Sequence, residues 1–217
     1  MKPCVPDAAS APRCVPQNPS QGVICVTDTA ILIVGVGGQG TLLSSRVLGE
    51  VALSGGFDVK VSEVHGMAQR GGSVVTHVRF GERVYSPLVG AGQADFILAF
   101  EKLEALRWVG YLKKGGMIIS NTQEIPPIPV TLGFQKYPED IDEILSSTVS
   151  TCMVDATGIA SDCGSPRAVN VVLLGVLARR LDFDRKLWLK AIRETVPQKT
   201  VEINMEAFRR GYELLQG

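Results

Sequence analysis

The apolar run Ala30 to Val34 ends in Gly35-Val36-Gly37-Gly38-Gln39-Gly40, and a helical pattern begins directly afterwards. GxGxxG between a strand and a helix is the context in which that pattern carries meaning. An uninterrupted apolar run suits a parallel strand buried on both faces. Leu43, Val47 and Val51, with Leu48 and Ala52 beside them, keep helical spacing until Gly55-Gly56. In such a turn Gly35 permits the tight reversal, Gly37 lets the backbone approach a phosphate, and Gly40 lets the helix pack on the strand. Unpaired N–H groups at the start of the helix, reinforced by its dipole, favour an anion. The turn therefore predicts a phosphate-type ligand held by Gly35, Gly37, Gly38, Gln39 and Gly40. A tight turn with no ligand is the alternative.

The rest of the chain continues in alternating strands and helices. Phe57 to Val64 alternates as a second strand, and Ser73 to Phe80 with Arg83 to Tyr85 reads as a hairpin across Gly81-Glu82. Ala94 to Phe100 is a strand, Glu101 to Leu112 a helix closed by Gly115-Gly116, and Met117 to Ser120 a strand ending at Asn121. Three prolines make Ile125 to Pro129 a loop, Pro138 to Ser147 is a short helix, and Thr151 to Ala156 the last strand. From Ser165 the pattern turns helical, with Ala168, Val172, Gly175 and Val176 on one face, then Leu187 to Val196 and Val201 to Leu215. The expected fold is α/β: a Rossmann-like, open, mostly parallel sheet with a β-hairpin insertion and a C-terminal helical segment. Residues 28–217 form that domain, with the sheet over 28–164 and the helices over 165–217. Residues 1–27 hold five prolines and no periodicity, which suits an extended arm that is flexible or wraps a partner.

Charge and cysteine usage narrow the function classes. Lys plus Arg and Asp plus Glu number 22 each, so no net field gathers nucleic acid or anionic lipid. No apolar stretch has the length of a membrane span or the form of a signal peptide, and a cytoplasmic protein is expected. Cys4, Cys14, Cys25, Cys152 and Cys163 make no CxxC pair, which removes the common zinc and iron-sulfur spacings. Neither a metal nor a firmly bound cofactor is expected on this chain.

About 20 residues beyond a dinucleotide turn, an acidic residue ordinarily binds the ribose hydroxyls, and Glu63 stands there. It runs straight into Val64-His65-Gly66-Met67-Ala68-Gln69-Arg70-Gly71-Gly72, an unusual loop for an NAD domain. An imidazole, an amide, a guanidinium and flexible glycines suit an anion or acyl group at the carboxyl edge of the sheet. His65 and Arg70 are the candidates to assist chemistry. Glu63, Gln69, Arg70, Gly71, Gly72 and Asn121 join the turn as candidate ligand contacts. A structural histidine and a loop-fixing salt bridge are the plainer readings of His65 and Arg70. Glu101, Asn121 and Asn170 also lie at element ends, where polar residues commonly cap helices or hold loops.

Taken together, GVGGQG at 35 to 40, SEVHGMAQRGG at 62 to 72, ADFILAFEKLEALR at 94 to 107, GGMIISN at 115 to 121 and AVNVVLLG at 168 to 175 resemble the gamma-type domain of 2-oxoacid:ferredoxin oxidoreductases. The resemblance covers roughly residues 29 to 216 and leaves the arm outside. It implies a large alpha subunit carrying thiamine diphosphate, Mg2+ and [4Fe-4S] clusters, in an alpha2beta2 assembly. The complex would convert an aryl-pyruvate and coenzyme A to aryl-acetyl-CoA, carbon dioxide and reduced ferredoxin. The resemblance further implies that the 35–40 turn and the 65–72 loop contact coenzyme A. A free-standing NAD(P)-dependent oxidoreductase and a non-catalytic assembly module are the other readings.

Overall fold

The computed structural model describes residues 28–65 and 72–214. The arm expected over 1–27, with Cys4, Cys14 and Cys25, lies outside them, as do Gln69, Arg70 and Gly71. The described residues form one sheet of six strands: β1 (Asp28–Val36), β2 (Asp58–His65), β3 (Ser73–Gly81), β4 (Ala94–Ala99), β5 (Leu112–Asn121) and β6 (Ser150–Val154). Their order across the sheet is β2-β3-β1-β4-β5-β6. The helices are α1 (Thr41–Ser54), α2 (Lys102–Trp108), α3 (Ile128–Thr131), α4 (Ile141–Thr148), α5 (Ala156–Asp162), α6 (Val169–Ala178), α7 (Arg185–Thr195) and α8 (Val201–Glu213).

β1, β4, β5 and β6 pair in parallel, which is the expected α/β sheet. The expected hairpin is not formed as written. β3 pairs antiparallel with β1 on one side and β2 on the other, and Arg83 to Tyr85 belong to no strand. The reason lies in β3 itself: Val74, Val78 and Phe80 are buried on one face and Val75 on the other. A strand apolar on both faces gains most in the interior of a sheet, between two neighbours. The segment after Gly81 is tied down instead of paired, with Val84 N–H donating to Asp58 Oδ2 (2.9 Å) and Val89 N–H to His77 Nδ1 (3.1 Å). Burial lowers the pKa of His77, which favours the neutral imidazole that accepts this bond.

Two apolar layers sandwich the sheet. Ile31, Ile33, Val78, Phe80, Phe96 and Leu98 face α1, α6, α7 and α8, whereas Leu32, Val34, Val75 and Ile97 face α2 and α4. The centre of the first layer is α6, which is buried from Asn170 to Ala178. Its valines cost a few tenths of a kcal/mol each in helix propensity, but complete burial contributes roughly 2 kcal/mol per large side chain. Packing therefore decides the helix. Gly175 and Gly211 let α6 and α8 approach backbone to backbone, since a Cβ at either would collide with the main chain of the other helix. α5 was not anticipated. It is a seven-residue helix capped by Asp155, whose side chain accepts from Gly158 N–H (2.9 Å).

Candidate functional site at the carboxyl edge

β1 delivers the glycine turn to the carboxyl edge of the sheet, and each glycine does a separate job there. Gly35 is still within β1, where a Cβ would stand 2.8 Å from Gln39 Oε1 and 3.1 Å from Phe100 Cβ. Gly40 precedes α1 with φ +89° and no side-chain cap, and a Cβ there would meet Asn170 Nδ2 at 2.9 Å. Gly38, at φ +105°, faces open space. The N–H groups of the first turn of α1 have no acceptor within the helix, which leaves that end suited to an anion.

Two candidate residues in the turn behave differently from expectation. Gly37 N–H donates to Gly72 C=O at 2.9 Å, so it ties the turn to the exit of the 65–72 loop and does not face a phosphate freely. Gln39 folds back into the protein. Its Oε1 accepts from Val36 N–H (2.7 Å), and its Nε2 donates to Phe100 C=O (3.1 Å) and Gln123 Oε1 (3.2 Å). This side chain braces the turn from beneath.

A cavity of about 420 Å³ opens beside the turn, lined by Gly37, Gly38, Gly40, Thr41, Leu42, Glu63 and Val74. Strand register explains its floor. Glu63 pairs with Thr76, which pairs with Ile33, so Glu63 stands two strands away from β1 on the α1 side of the sheet. β3 supplies the residue between them, Val74, which stands opposite Gly35. Thr41, Leu42 and Val74 join the candidate residues from the structure alone. Thr41 and Leu42 were findable as the first helical residues after GxGxxG; Val74 depends on the pairing of β3.

The other half of the edge is closed. Glu101 is buried, and its carboxylate accepts from Glu104 N–H (2.9 Å), Ile125 N–H (3.1 Å) and Tyr137 Oη–H (2.5 Å). Burial together with Glu101 raises the Tyr137 pKa, which keeps the phenol a donor. Asn121, also buried, accepts from Ala156 N–H (3.1 Å) and donates to Phe100 C=O (3.3 Å) and Thr157 Oγ1 (3.1 Å). Asn170 donates to Gly40 C=O (3.5 Å). Glu104 receives Ser73 Oγ–H (2.5 Å) and so fixes the start of β3. These side chains hold the edge together. The backbone of His65 ends β2 opposite Val74, at the level of Gly35. Burial raises the pKa of Cys152 and Cys163, which are free thiols. Among the described residues no three His, Cys, Asp or Glu side chains gather as metal ligands.

A strand-turn-helix site of this form occurs in many folds, and comparison with known proteins decides among them. The profile of pyruvate ferredoxin/flavodoxin oxidoreductase matches residues 30–214. The chain belongs to that family. It is similar to indolepyruvate oxidoreductase subunit IorB of Thermococcus kodakarensis, with 44% identity over 83% of this chain and 93% of that protein. Its fold is similar to the crystal structure of pyruvate oxidoreductase subunit PORC from Thermotoga maritima, at 25% identity and a TM-score of 0.67, covering 86% of this chain and 96% of that one. It is also similar to 2-oxoglutarate:ferredoxin oxidoreductase from Magnetococcus marinus, at 19% identity and a TM-score of 0.67. There the match covers 87% of this chain but 31% of the other, so the same fold is one part of a longer polypeptide. No helix among the described residues is long and apolar enough to cross a membrane.

Proposed function

We infer that this chain is the small subunit of an indolepyruvate:ferredoxin oxidoreductase and that its glycine turn presents coenzyme A to a larger subunit. Identity of 44% to the indolepyruvate relative along nearly its whole length supports the first part. The observation that carries the second is the open amino end of α1 beside a cavity with Gly38 and Gly40 at positive φ.

Coenzyme A fits the lining in kind. The first-turn amides of α1 suit its diphosphate, Glu63 suits a ribose hydroxyl as an acceptor, and Leu42 and Val74 suit an apolar chain. When bound, the coenzyme supplies the thiol that takes up the acyl group. The chain's own part is to bind and orient: Gln39, Asn170 and the Gly37–Gly72 bond keep the turn in shape while the ligand enters and leaves. His65 and Arg70 belong to this proposal as the imidazole and guanidinium of the 65–72 loop, and Gln69 and Gly71 as further contacts.

Thiamine diphosphate, Mg2+ and the [4Fe-4S] clusters are assigned to the larger subunit, in keeping with the resemblance. An alpha2beta2 arrangement in the cytoplasm completes the reading. The test is to produce the chain with its larger subunit, purify the complex without oxygen, and follow ferredoxin reduction with indolepyruvate. Reduction that needs both subunits and coenzyme A is the expected result. Activity of the larger subunit alone, with unchanged KM for coenzyme A, would remove the role assigned to the turn. Tight NADH binding by the isolated chain would favour a nicotinamide site instead.

A further inference from the structure

Ile128, Leu132 and Phe134 project from the segment that follows β5 and are 69%, 63% and 79% exposed. Three large apolar side chains within seven residues are costly to leave in water when nothing covers them. The segment that carries them is firmly built. Pro127 precedes α3, Pro129 C=O accepts from both Phe134 N–H (2.8 Å) and Gln135 N–H (3.2 Å), and Gly133 at φ +77° completes the turn. Its root is held by Ile125 N–H on the buried Glu101 and by Tyr137 on the same carboxylate. A fixed backbone that aims apolar groups outward is the form of a docking plug, because little order remains to be imposed on binding.

The charges around the plug select its occupant. Glu124, Glu139, Asp140, Asp142 and Glu143 are exposed along the segment and its neighbouring helix, with Lys136 as the exposed base between them. Lys102 bridges Glu124 (3.0 Å) and Asp142 (2.9 Å), so these three charges engage one another, and Glu139, Asp140 and Glu143 are the acids outside that bridge. Two copies of this chain meeting plug to plug would bring like charges together, which disfavours a symmetric dimer here. An apolar socket with a cationic rim on a different chain is complementary.

We propose that Ile128, Leu132 and Phe134 form the plug by which this chain docks into such a socket on the larger subunit of its complex. The proposal rests on the subunit reading above and names the surface that reading leaves open. It also accounts for the reach of the plug toward the site: Gln123, three residues before Pro126, holds the Gln39 brace of the glycine turn. Docking at the plug thus fixes the strut behind the turn.

The experiment compares the full-length chain with the triple variant Ile128→Ser, Leu132→Ser, Phe134→Ser, each co-produced with the larger subunit. The three side chains are exposed, so the variant is expected to keep the thermal midpoint and far-UV circular dichroism of the natural chain. Its affinity for the larger subunit is expected to fall at least tenfold, with Phe134→Ser alone accounting for the largest share. Glu139→Lys, which leaves the apolar groups intact, is expected to weaken association and to change its salt dependence. Undiminished assembly of a folded triple variant, alongside assembly of the natural chain, overturns the plug and leaves the subunit reading standing. Failure of the natural chain to assemble at all overturns both. A dimer of the isolated chain that the triple variant abolishes would assign the plug to a second copy and overturn the proposal. Should the triple variant misfold, Phe134→Ser alone decides by the same two measurements.

Discussion

The carboxyl edge of this sheet has two halves built from similar residues and put to opposite uses. Across β4, β5 and β6, Glu101 and Asn121 are buried and spend their polar atoms on N–H, C=O and hydroxyl groups of the fold. Across β1, β3 and β2, Glu63 and the start of α1 line an open cavity. A carboxylate at a strand end is therefore no guide to binding by itself. Among the described residues, what separates Glu101 from Glu63 is that the Ile125 and Tyr137 segments return over Glu101.

The comparison can be broken most forcefully at Glu101. Glu101→Ala would leave Ile125 N–H and Tyr137 Oη–H without their acceptor, and hydrogen bonds to a charged group contribute roughly 1.5 to 3 kcal/mol each. A loss of about 3 kcal/mol or more in urea unfolding is expected, and an unchanged midpoint would place Glu101 outside the structural half. Gly40→Ala sits at the boundary. Strain from φ +89° and crowding against Asn170 predict a loss of about 2 kcal/mol together with weaker ligand binding. Stability lost without any change in KM for coenzyme A would make the turn purely architectural. Glu63→Ala is the smallest change to the fold, within about 0.5 kcal/mol for an exposed side chain. In the assembled complex the same variant is expected to raise the KM for coenzyme A about three- to tenfold, the worth of one hydrogen bond. Parallel effects of Glu63→Ala and Glu101→Ala on stability would erase the distinction between the halves.

Much of this frame was legible in the sequence because it is local. β1, the glycine turn, α1, β4 and the C-terminal helices follow from apolar period and glycine stops within short windows. The partners of β3 were not legible, since strand pairing depends on segments far apart and on which strand most needs two neighbours. The roles of single polar residues were hidden for the same reason. Gln39 stands in a binding motif by spelling, yet its partners Phe100 and Gln123 lie 61 and 84 residues away. α5 escaped notice because two buried alanines, Ala156 and Ala160, give too faint a period.

The reversed strand β3 also sets a gauge for the cavity. With β3 interposed, Glu63 and the glycine turn are separated by two ladder spacings, roughly 10 Å in all. That width is fixed by main-chain hydrogen bonds and does not respond to substitution of side chains. Glu63 and Leu42, by contrast, are exposed side chains of the lining that take no part in that ladder. Under the proposed function, the contacts offered to a ligand are then open to change while the span of the slot is not.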